Sequence, residues 1–488
     1  MNQTPIIAGF HPDPSVCAVD GTFYLANSTF EYAPGVPIHA STDFRDWTLI
    51  GHALNTPDQL PLAGTGPSGG IFAPTLRHHD GRFWMITTNV ADAQGQVLVS
   101  AENAAGPWSE AIRIPEIEGI DPDIAWDADG RCLVTFASRG GIQQVEIDPE
   151  TGELLSPFRS LWSGTGGKFP EGPHLFQRGE YWYLVIAEGG TERGHAVTIA
   201  RGPSAMGPFE GNPRNPILTR RGSDSPVQST GHSDIVEIGD DEWAIVYLGV
   251  RPRGSSPEWH VLGRESFASE VHWVDDWPVV GEPISPRPAP SIENLSAGSP
   301  LPTTWIGTEE FPDRIVTVGE SGWTLSAADG VDRFVGRRQD RLYCSVRARL
   351  DTDGEAALCL RIDTKHQFRL ELESGRIRSI LVVGGHRIEL DERPLPDGAE
   401  LVIRTMPMEG GTFDTTRGPD YIVGGVVADG AFVETARVDG RSVSTEVAGG
   451  MTGRIVGVSA VRGSVTLRDF SYVGADDWAD IRDDLASN

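Results

Sequence analysis

The chain has 488 residues, of which 69 are acidic and 40 basic, and its formal net charge at pH 7 is −29. A surface this negative repels phosphate backbones and anionic lipids, so nucleic acids and membrane surfaces are excluded as expected partners. The 58 glycines and 35 prolines are typical of a β protein with many turns.

A pattern recurs five times in the first half of the chain. In each copy a chemically distinctive residue precedes a fixed point in an apolar strand by ten or eleven positions. The pairs are Asp13 and Phe23, Ala73 and Phe83, Asp121 and Cys132, Glu171 and Tyr181, and His232 and Trp243. Successive copies start 60, 48, 50 and 61 residues apart, which suits a four-stranded propeller blade. The spacing therefore predicts an all-β fold with a five-bladed β-propeller.

A propeller would bring the distinctive residues together. The innermost strand of each blade starts beside the central axis, so equivalent positions of successive blades converge on one pocket. Asp13, Asp121 and Glu171 share this position, and His232 occupies it in the fifth copy. An acidic residue before proline, as in Asp13-Pro14, is by itself most often a turn former. Three carboxylates in one register instead predict a shared carboxylate site.

Cysteine usage and the amino terminus bear on the compartment. Cys17, Cys132, Cys344 and Cys359 form no CxxC or histidine-rich pattern, so the sequence predicts neither a metal site nor a redox motif. The amino-terminal residues lack the basic and long apolar regions of a signal peptide, and no stretch approaches about 18 apolar residues. We therefore expect a cytoplasmic protein without a membrane partner.

The character of the sequence changes after the repeats. Residues 1–283 are predicted to form the propeller, and residues 284–302 a Pro-rich, extended linker. Residues 303–475 alternate apolar and polar positions without a five-fold register, which predicts a β-sandwich. The acidic segment 476–488 is expected to fray as a tail.

Nine short motifs follow one another along the chain. They are HPDPS, STFEYAPGVPIH, GGIFAPTLRHHDG, GIDPDIAWDADG, FPEGPHLF, AEGGT, TGHSDIVE, LGVRP and LGRESF. In this order they resemble glycoside hydrolase family 43, in particular its β-xylosidase and α-L-arabinofuranosidase members. The resemblance covers the whole chain, because these enzymes join a five-bladed propeller to a C-terminal β-sandwich.

The resemblance implies catalytic roles for the three carboxylates. Asp13 is similar to the family's general base and Glu171 to its general acid. Asp121 is similar to the third carboxylate, which orients the acid and raises its pKa through like charge. The family is inverting, so the acid protonates the leaving oxygen while the base deprotonates a water on the opposite face, in one displacement.

Four residues are implied in substrate binding. Arg251 is similar to an arginine that holds sugar hydroxyls and screens Asp13, with a surface ion pair as the alternative. His232 is similar to a histidine at the pocket floor that in some relatives helps to hold a hydrated cation. A structural calcium near His232 is thus one expectation and a buried core histidine the other, and no cofactor is expected to be required. Phe30 and Phe72 are expected to form apolar walls, although the family commonly has Trp in place of Phe72.

A loop of the second domain bears on substrate access. Residues 444–453 are similar to a loop that closes one side of the active site, with Met451 where an aromatic is expected. The alternative is that Met451 belongs to the sandwich core. A closed pocket admits one terminal sugar, so this similarity implies exo-action on short xylo- or arabino-oligosaccharides.

The predicted function is an inverting exo-glycoside hydrolase. It would release a terminal pentose, β-D-xylose or α-L-arabinofuranose or both, from hemicellulose-derived oligosaccharides, with β-xylosides favoured. One alternative is a retaining, fructosyl-type propeller hydrolase, whose carboxylates would lie closer together. Another is a non-catalytic carbohydrate-binding propeller, which would be expected to lack at least one of Asp13, Asp121 and Glu171. The choice between the two pentosides and the formation of a homo-oligomer are left open.

Overall fold

Two compact units make up this computed structural model, which describes residues 3–91, 95–287, 289–328, 332–410 and 414–481. The first unit comprises residues 1–250 and 264–287, and the second comprises residues 251–263 and 288–488. Within the described residues, no helix has the length and apolar character needed to cross a membrane.

Five antiparallel sheets form the first unit, one for each sequence repeat. The first contains β1 (Ser15–Val19), β2 (Thr22–Ala26), β4 (Gly35–Ser41) and β5 (Thr48–Leu54), with the short β3 (Tyr32–Ala33) between β2 and β4 in the chain. The second contains β6 (Thr75–His79), β7 (Arg82–Thr88), β8 (Gln96–Ala101) and β9 (Ile112–Ile114). The third contains β10 (Ile120–Trp126), β11 (Cys132–Ser138), β12 (Gly141–Ile147) and β13 (Arg159–Trp162).

The last two sheets complete the ring of blades. The fourth contains β14 (Glu171–Arg178), β15 (Tyr181–Glu188), β16 (Ala196–Gly202), β17 (Glu210–Gly211) and β18 (Leu218–Thr219), with β17 and β18 both paired to β16. The fifth contains β19 (Gln228–Gly239), β20 (Glu242–Val250), β21 (Glu265–Val274) and β22 (Trp277–Ile284). The predicted all-β fold with a five-bladed propeller is confirmed.

Apolar side chains join neighbouring blades. Trp84 of the second blade packs against Trp126 of the third, with ring centroids 5.7 Å apart, and Tyr24 of the first packs against Phe83 of the second at 4.9 Å. Mixed clusters of the same kind join the third blade to the fourth, the fourth to the fifth and the fifth to the first. The strands are apolar because both faces of most blades are covered by another blade.

A buried polar ring crosses the axis of the propeller, with one residue from each blade. Its members are Ser15, Arg77, Asp123, His174 and Asp234. The Arg77 guanidinium donates to Asp234 at 2.7 Å and to Asp123 at 2.9 Å. Burial alone would lower the pKa of Arg77, but Asp234 and Asp123 raise it above its ordinary value. This axial ring therefore holds a permanent cation between two carboxylates.

The axial ring also bonds to the backbone of neighbouring blades. Asp234 accepts the Ser15 hydroxyl and the Val16 N–H, both at 3.0 Å, which ties the fifth blade to the first. Asp123 accepts the Leu175 N–H at 3.1 Å, which ties the third blade to the fourth. The hydrogen bonds of the axial ring therefore help to hold neighbouring blades together.

Two further sheets make up most of the second unit. The first contains β23 (Ser291–Leu295), β25 (Val316–Gly319), β26 (Gly322–Ser326), β28 (Tyr343–Thr352), β33 (Glu400–Met406), β34 (Tyr421–Ala428), β35 (Ala431–Asp439) and β37 (Ser464–Ala475). The second contains β24 (Ile306–Thr308), β27 (Arg333–Arg338), β29 (Glu355–Asp363), β30 (His366–Glu373), β31 (Arg376–Val383), β32 (His386–Pro394) and β36 (Ile455–Arg462). Helical turns are short, namely α1 (Pro312–Ile315), α2 (Thr445–Ala448) and two 3₁₀ turns at Gly440–Val443 and Trp478–Asp480.

The two sheets share one hydrophobic core. Val346 and Leu401 of the first sheet and Leu358 and Phe368 of the second belong to the same buried cluster. All four cysteines of the chain are buried and free.

Two sequence predictions at the ends of the second unit are wrong. The segment 284–302 is not a plain linker, because residues 291–295 form β23 and pair with β37. The acidic tail 476–488 does not fray from its first residue. Trp478 packs against Tyr343 with ring centroids 5.8 Å apart, and Ile481 is buried. Residues 482–488 lie outside the described part of the chain.

The predicted propeller range, residues 1–283, also includes a connection that belongs to the second unit. Residues 251–263 join β20 to β21, yet they belong to the second unit. Within that unit the Arg253 guanidinium donates to Asp420 at 3.1 Å, and the Arg454 N–H donates to the Val261 carbonyl at 2.9 Å. The sequence repeat on which the propeller boundary was based is a local pattern. It therefore does not indicate hydrogen bonds to residues far along the chain.

Removing the cation of the axial ring tests its part in stability. Arg77→Ala leaves Asp123 and Asp234 buried without their partner, and such losses cost about 3–5 kcal/mol. We expect a clearly lower urea midpoint in unfolding followed by intrinsic fluorescence. Arg131→Ala, which removes a partly exposed ion pair with Asp127 and an exposed one with Asp129, is the control and should shift the midpoint far less. Equal midpoints for the two variants would contradict the assignment.

Candidate active site

Three carboxylates lie where the innermost strands of their blades begin. Asp13 precedes β1 by two residues, Asp121 is the second residue of β10, and Glu171 is the first residue of β14. The charge of Asp13 raises the pKa of both Asp121 and Glu171, so the three groups act on one another electrostatically. The structure therefore brings the predicted site residues together.

Local backbone irregularities position these side chains. Asp13 and Asp121 have φ angles of +53° and +54°, which aspartate tolerates better than most residues. The pairing of β10 with β11 shifts between Ile120 and Asp123. That of β14 with β15 shifts between Glu171 and His174. Each shift contains a proline, which has no N–H to donate to the ladder. Such bulges redirect side chains next to active sites.

Asp13 is buried yet ionised. The Arg264 guanidinium donates to its Oδ1 at 2.8 Å, and the Ser28 hydroxyl donates to Oδ2. His232 Nδ1 lies 3.7 Å from Oδ1. Burial alone would raise the pKa of Asp13, but Arg264, His232 and Ser28 together lower it below its ordinary value. Asp13 is therefore a carboxylate that stays charged in a desolvated place.

Glu171 and Asp121 behave in the opposite way. Burial, and then the charge of Asp13, raise the pKa of Glu171 to about 7, against a smaller opposing effect of Arg264. Burial, and then the charges of Glu171 and Asp13, raise the pKa of Asp121 well above its ordinary value. The two groups titrate as a coupled pair that retains a proton near neutral pH.

Like charge contributes to the raised pKa of Glu171. Burial and the charge of Asp13 raise this pKa, and Asp121, which the sequence resemblance named as its cause, titrates with Glu171 as a coupled pair of carboxyls that repel each other. The contact that Asp121 makes is with the backbone beside the acid, since its Oδ2 accepts the Gly172 N–H at 3.2 Å. This hydrogen bond from the Gly172 N–H to Asp121 holds the backbone next to Glu171 in place at the start of β14.

Two buried histidines line the carboxylates in their neutral form. Burial lowers the pKa of His232 to about 4 and that of His195 to about 3. His195 Nδ1 lies 3.1 Å from the Ser229 carbonyl, and its Nε2 lies 3.8 Å from Glu171 Oε1. Sequence reasoning missed His195, because it lies directly before β16, outside the five-fold register.

The two predicted aromatic walls differ in exposure. Phe30 is buried and has a φ of +51°, whereas Phe72 is half-buried. Their ring centroids are 5.2 Å apart. The Arg264 guanidinium lies 5.5 Å from the Phe30 ring centroid, within cation–π range. Phe30 therefore supports both Phe72 and the arginine at Asp13.

The Arg264 guanidinium contacts Asp13. Arg251 was expected to screen Asp13; its guanidinium bonds to Asp476 at 2.8 Å, and a role for Arg251 at Asp13 stays a prediction. Arg264 of the LGRESF motif forms the ion pair with Asp13. The sequence carried a signal, because Arg264 is the basic residue of the LGRESF motif and directly precedes β21 of the fifth blade.

A metal site is not evident from the side chains. Among the residues that the structure describes, no three His, Cys, Asp or Glu side chains form a group that could hold an ion. Calcium prefers six to eight oxygen ligands. The oxygens of Asp13 already accept hydrogen bonds from Arg264 and Ser28, and His232 offers only nitrogen. These donors do not form a protein-built calcium site.

One charged carboxylate beside a proton-retaining pair is the arrangement of a glycosidase, which needs a base and an acid at neutral pH. A family model described as Glycosyl hydrolases family 43 matches residues 2–278. The chain therefore belongs to glycosyl hydrolase family 43.

Individual relatives agree with this membership. The non-reducing end alpha-L-arabinofuranosidase BoGH43B of Bacteroides ovatus is 33% identical over 524 aligned positions, covering 98% of this chain and 94% of that protein. The xylosidase/arabinosidase of Butyrivibrio fibrisolvens is 44% identical over 360 positions, covering 70% of this chain and 66% of that protein. The crystal structure of xylan beta-1,4-xylosidase from Bacillus halodurans C-125 is 29% identical with a TM-score of 0.86, covering 97% of this chain and all of that one, 100%.

Replacing Arg264 tests the electrostatics of the site. Arg264→Gln removes the positive charge that lowers the pKa of Asp13, so Asp13 should take up its proton at higher pH, by about one unit or more. The acidic limb of the kcat/KM profile should move up accordingly. The alkaline limb should move up too, because Arg264 also lowers the pKa of Glu171. Arg251→Gln is the matched control, and an acidic limb that moves only with Arg251 would overturn the assignment.

Proposed function

We propose that this glycosidase is an inverting exo-enzyme that releases a terminal pentose from hemicellulose-derived oligosaccharides. The observation that carries the proposal is the opposite ionisation of two carboxyls, buried Asp13 with a pKa below its ordinary value and half-buried Glu171 with a pKa raised to about 7. A single displacement needs both at once, an ionised base and a protonated acid.

Asp13 and Glu171 act on opposite faces of the scissile bond. Asp13 removes a proton from a water molecule as that water attacks the anomeric carbon. Glu171 gives its proton to the glycosidic oxygen as the bond from that oxygen to the anomeric carbon breaks. The hydroxyl of the released sugar comes from the water, and its configuration is inverted. Asp121 orients the acid through the Gly172 N–H.

The surrounding residues hold the terminal sugar. Arg264 offers guanidinium donors beside Asp13, and Phe72 offers an apolar face next to Phe30. Neutral His232 and His195 add no charge that would compete with the developing positive charge on the sugar ring. A sugar-binding role for Arg251 stays a prediction.

The pentose is β-D-xylose, with accompanying release of α-L-arabinofuranose. Support comes from the names of the relatives, which include an arabinofuranosidase, a xylosidase/arabinosidase and a beta-xylosidase of Bacillus subtilis that is 37% identical over 344 residues. A fructosyl-type retaining hydrolase or a non-catalytic propeller is not favoured, because the chain belongs to a glycosidase family and keeps all three carboxylates.

The remaining parts of the proposal concern the rest of the chain. We assign catalysis to the propeller, 1–283 in the sequence prediction, and class the two sheets of the second unit as a β-sandwich because they share a core. A cytoplasmic location, a homo-oligomer, a role for Met451 in closing the pocket and a structural calcium near His232 stay predictions. No catalytic step is assigned to a metal.

Product analysis tests exo-action directly. The protein is incubated with xylotetraose, an arabino-oligosaccharide and polymeric xylan, and products are followed over time by chromatography. We expect single pentoses to appear first and the chain to shorten by one sugar at a time, because the carboxylates lie at the inner end of their strands beside the axis. Rapid mid-chain cleavage of xylan would refute exo-action.

A second test separates the acid from the base. Glu171→Ala should lower kcat/KM for xylobiose by at least about a hundredfold, but far less for an aryl pentoside whose leaving group needs little protonation. Asp13→Ala should abolish turnover of both substrates, because the water still needs a base. Equal losses on both substrates for Glu171→Ala would count against its role as the acid.

A further inference from the structure

One nitrogen of a buried histidine faces the catalytic acid without a partner. The His195 side chain is fully buried, and its Nε2 makes no hydrogen bond with any residue in the described ranges. This nitrogen lies 3.8 Å from Glu171 Oε1. The Glu171 carboxyl likewise makes no hydrogen bond with the described part of the chain. A buried polar atom that stays unpaired costs free energy, so a functional reason for this arrangement is expected.

The other ring nitrogen fixes the tautomer of His195. Its Nδ1 lies 3.1 Å from the Ser229 carbonyl oxygen, which can only accept a hydrogen bond, so Nδ1 carries the proton. Burial keeps the ring neutral by lowering its pKa to about 3. At neutral pH, Nε2 therefore has a lone pair and no proton. His195 offers Glu171 an acceptor and no donor.

The neighbouring strand is shaped to hold the ring in this orientation. The pairing of β19 with β20 shifts twice, between Gln228 and Gly231 and between Gly231 and Ser233. Ser229, within the first shift, has a φ of +55°, which is strained for a residue with a side chain. A Cβ at Gly231 would overlap three atoms of the His195 ring. The irregular strand thus supplies both the carbonyl that accepts from Nδ1 and the space for the imidazole.

The backbone of His195 is held on both sides. Its N–H donates to the Glu192 carbonyl at 2.9 Å, and its carbonyl accepts the Thr219 hydroxyl at 2.8 Å. The Glu171 side chain is 22% exposed and has no hydrogen bond of this kind among the described residues. The acid, and not the histidine, is therefore free to move and shorten the distance between Oε1 and Nε2.

We propose that His195 is a positioning residue whose Nε2 accepts a hydrogen bond from Glu171 whenever that carboxyl is protonated. The inference rests on the proposed function, because it concerns the proton that Glu171 gives to the glycosidic oxygen. Rotation about the last bond of the side chain, a torsion with broad minima, brings Oε1 towards a hydrogen-bond distance of about 2.8 Å. A hydrogen bond to the neutral acid favours it over the carboxylate. His195 thereby keeps the proton on Glu171 until substrate binds.

The lone pair of Nε2 also favours the return of the acid to its starting state. Once Glu171 has given up its proton, its carboxylate faces a nitrogen that cannot donate. The partly exposed carboxylate then takes up a proton from solvent water after the product leaves. The other titratable and charged groups around the pair are Asp13, Asp121, His232 and Arg264. These groups act through charge, or are neutral in the case of His232, whereas His195 acts through one hydrogen bond.

Two amide substitutions separate the roles of the two ring nitrogens. His195→Asn places its amide near the position of Nδ1, so it keeps a donor for the Ser229 carbonyl but offers Glu171 no acceptor. We expect the alkaline limb of the kcat/KM profile for xylobiose to move to lower pH by about one unit, because the neutral acid loses its hydrogen bond. His195→Gln places its amide near the position of Nε2, where the amide oxygen accepts from Glu171. Its alkaline limb should stay close to that of the wild type.

A role limited to packing gives a different result. The contact with Ser229 would then matter most, so kcat/KM would fall more for His195→Gln than for His195→Asn, and neither alkaline limb would move. The position of a limb does not depend on the amount of folded protein, so a partly folded variant still gives a valid profile. The matched control is His366→Asn, the same substitution at a buried histidine of the second unit whose Nδ1 lies 3.1 Å from Asp363, and its alkaline limb should not move.

The outcomes distinguish this inference from the proposed function. An alkaline limb that stays in place for His195→Asn, or that moves equally for His195→Asn and His195→Gln, would overturn the role of His195. Wild-type protein that hydrolyses neither xylobiose nor an aryl pentoside would instead refute the proposed function.

Discussion

The ion pairs of Arg77 with Asp123 and Asp234 are the constraint on which the site depends. Asp123 lies two residues after Asp121, and Asp234 lies two residues after His232. A shift of either strand along its neighbour would separate a buried carboxylate from the guanidinium, at a cost far above that of an exposed pair. The axial ring therefore fixes the strand register that sets the positions of the site residues above it.

The three carboxyls of the site are removed from water to a similar degree, but the neighbouring groups stabilise their charged forms to different degrees. This difference gives the site its acid and its base. Asp13, Asp121 and Glu171 are all largely removed from water, which by itself favours the neutral acid. Asp13 has the Arg264 guanidinium at hydrogen-bond distance, and this contact, with His232 and Ser28, lowers its pKa below the ordinary value. The charge that Asp13 retains then raises the pKa values of the other two. One arginine thus separates base from acid.

The features that could be predicted from the sequence are those that recur with the five-fold repeat. Asp13, Asp121 and Glu171 were found because each begins an innermost strand, and the repeat counts those starts. Arg264 lies before a third strand, and its contact with Asp13 joins residues 251 positions apart, which no local pattern reports. Trp478 packs by the same kind of distant contact, so the tail was predicted to fray although its first turn is ordered.

The configuration of the first-formed sugar tests the central claim most directly, because a base that activates water and an acid that protonates the leaving oxygen give one displacement. Hydrolysis of an aryl β-D-xyloside is followed by proton NMR within the first minutes, before the anomers equilibrate. The account predicts that α-D-xylose appears first and the β-anomer later. Initial formation of β-D-xylose would show retention through a covalent intermediate and would contradict the account.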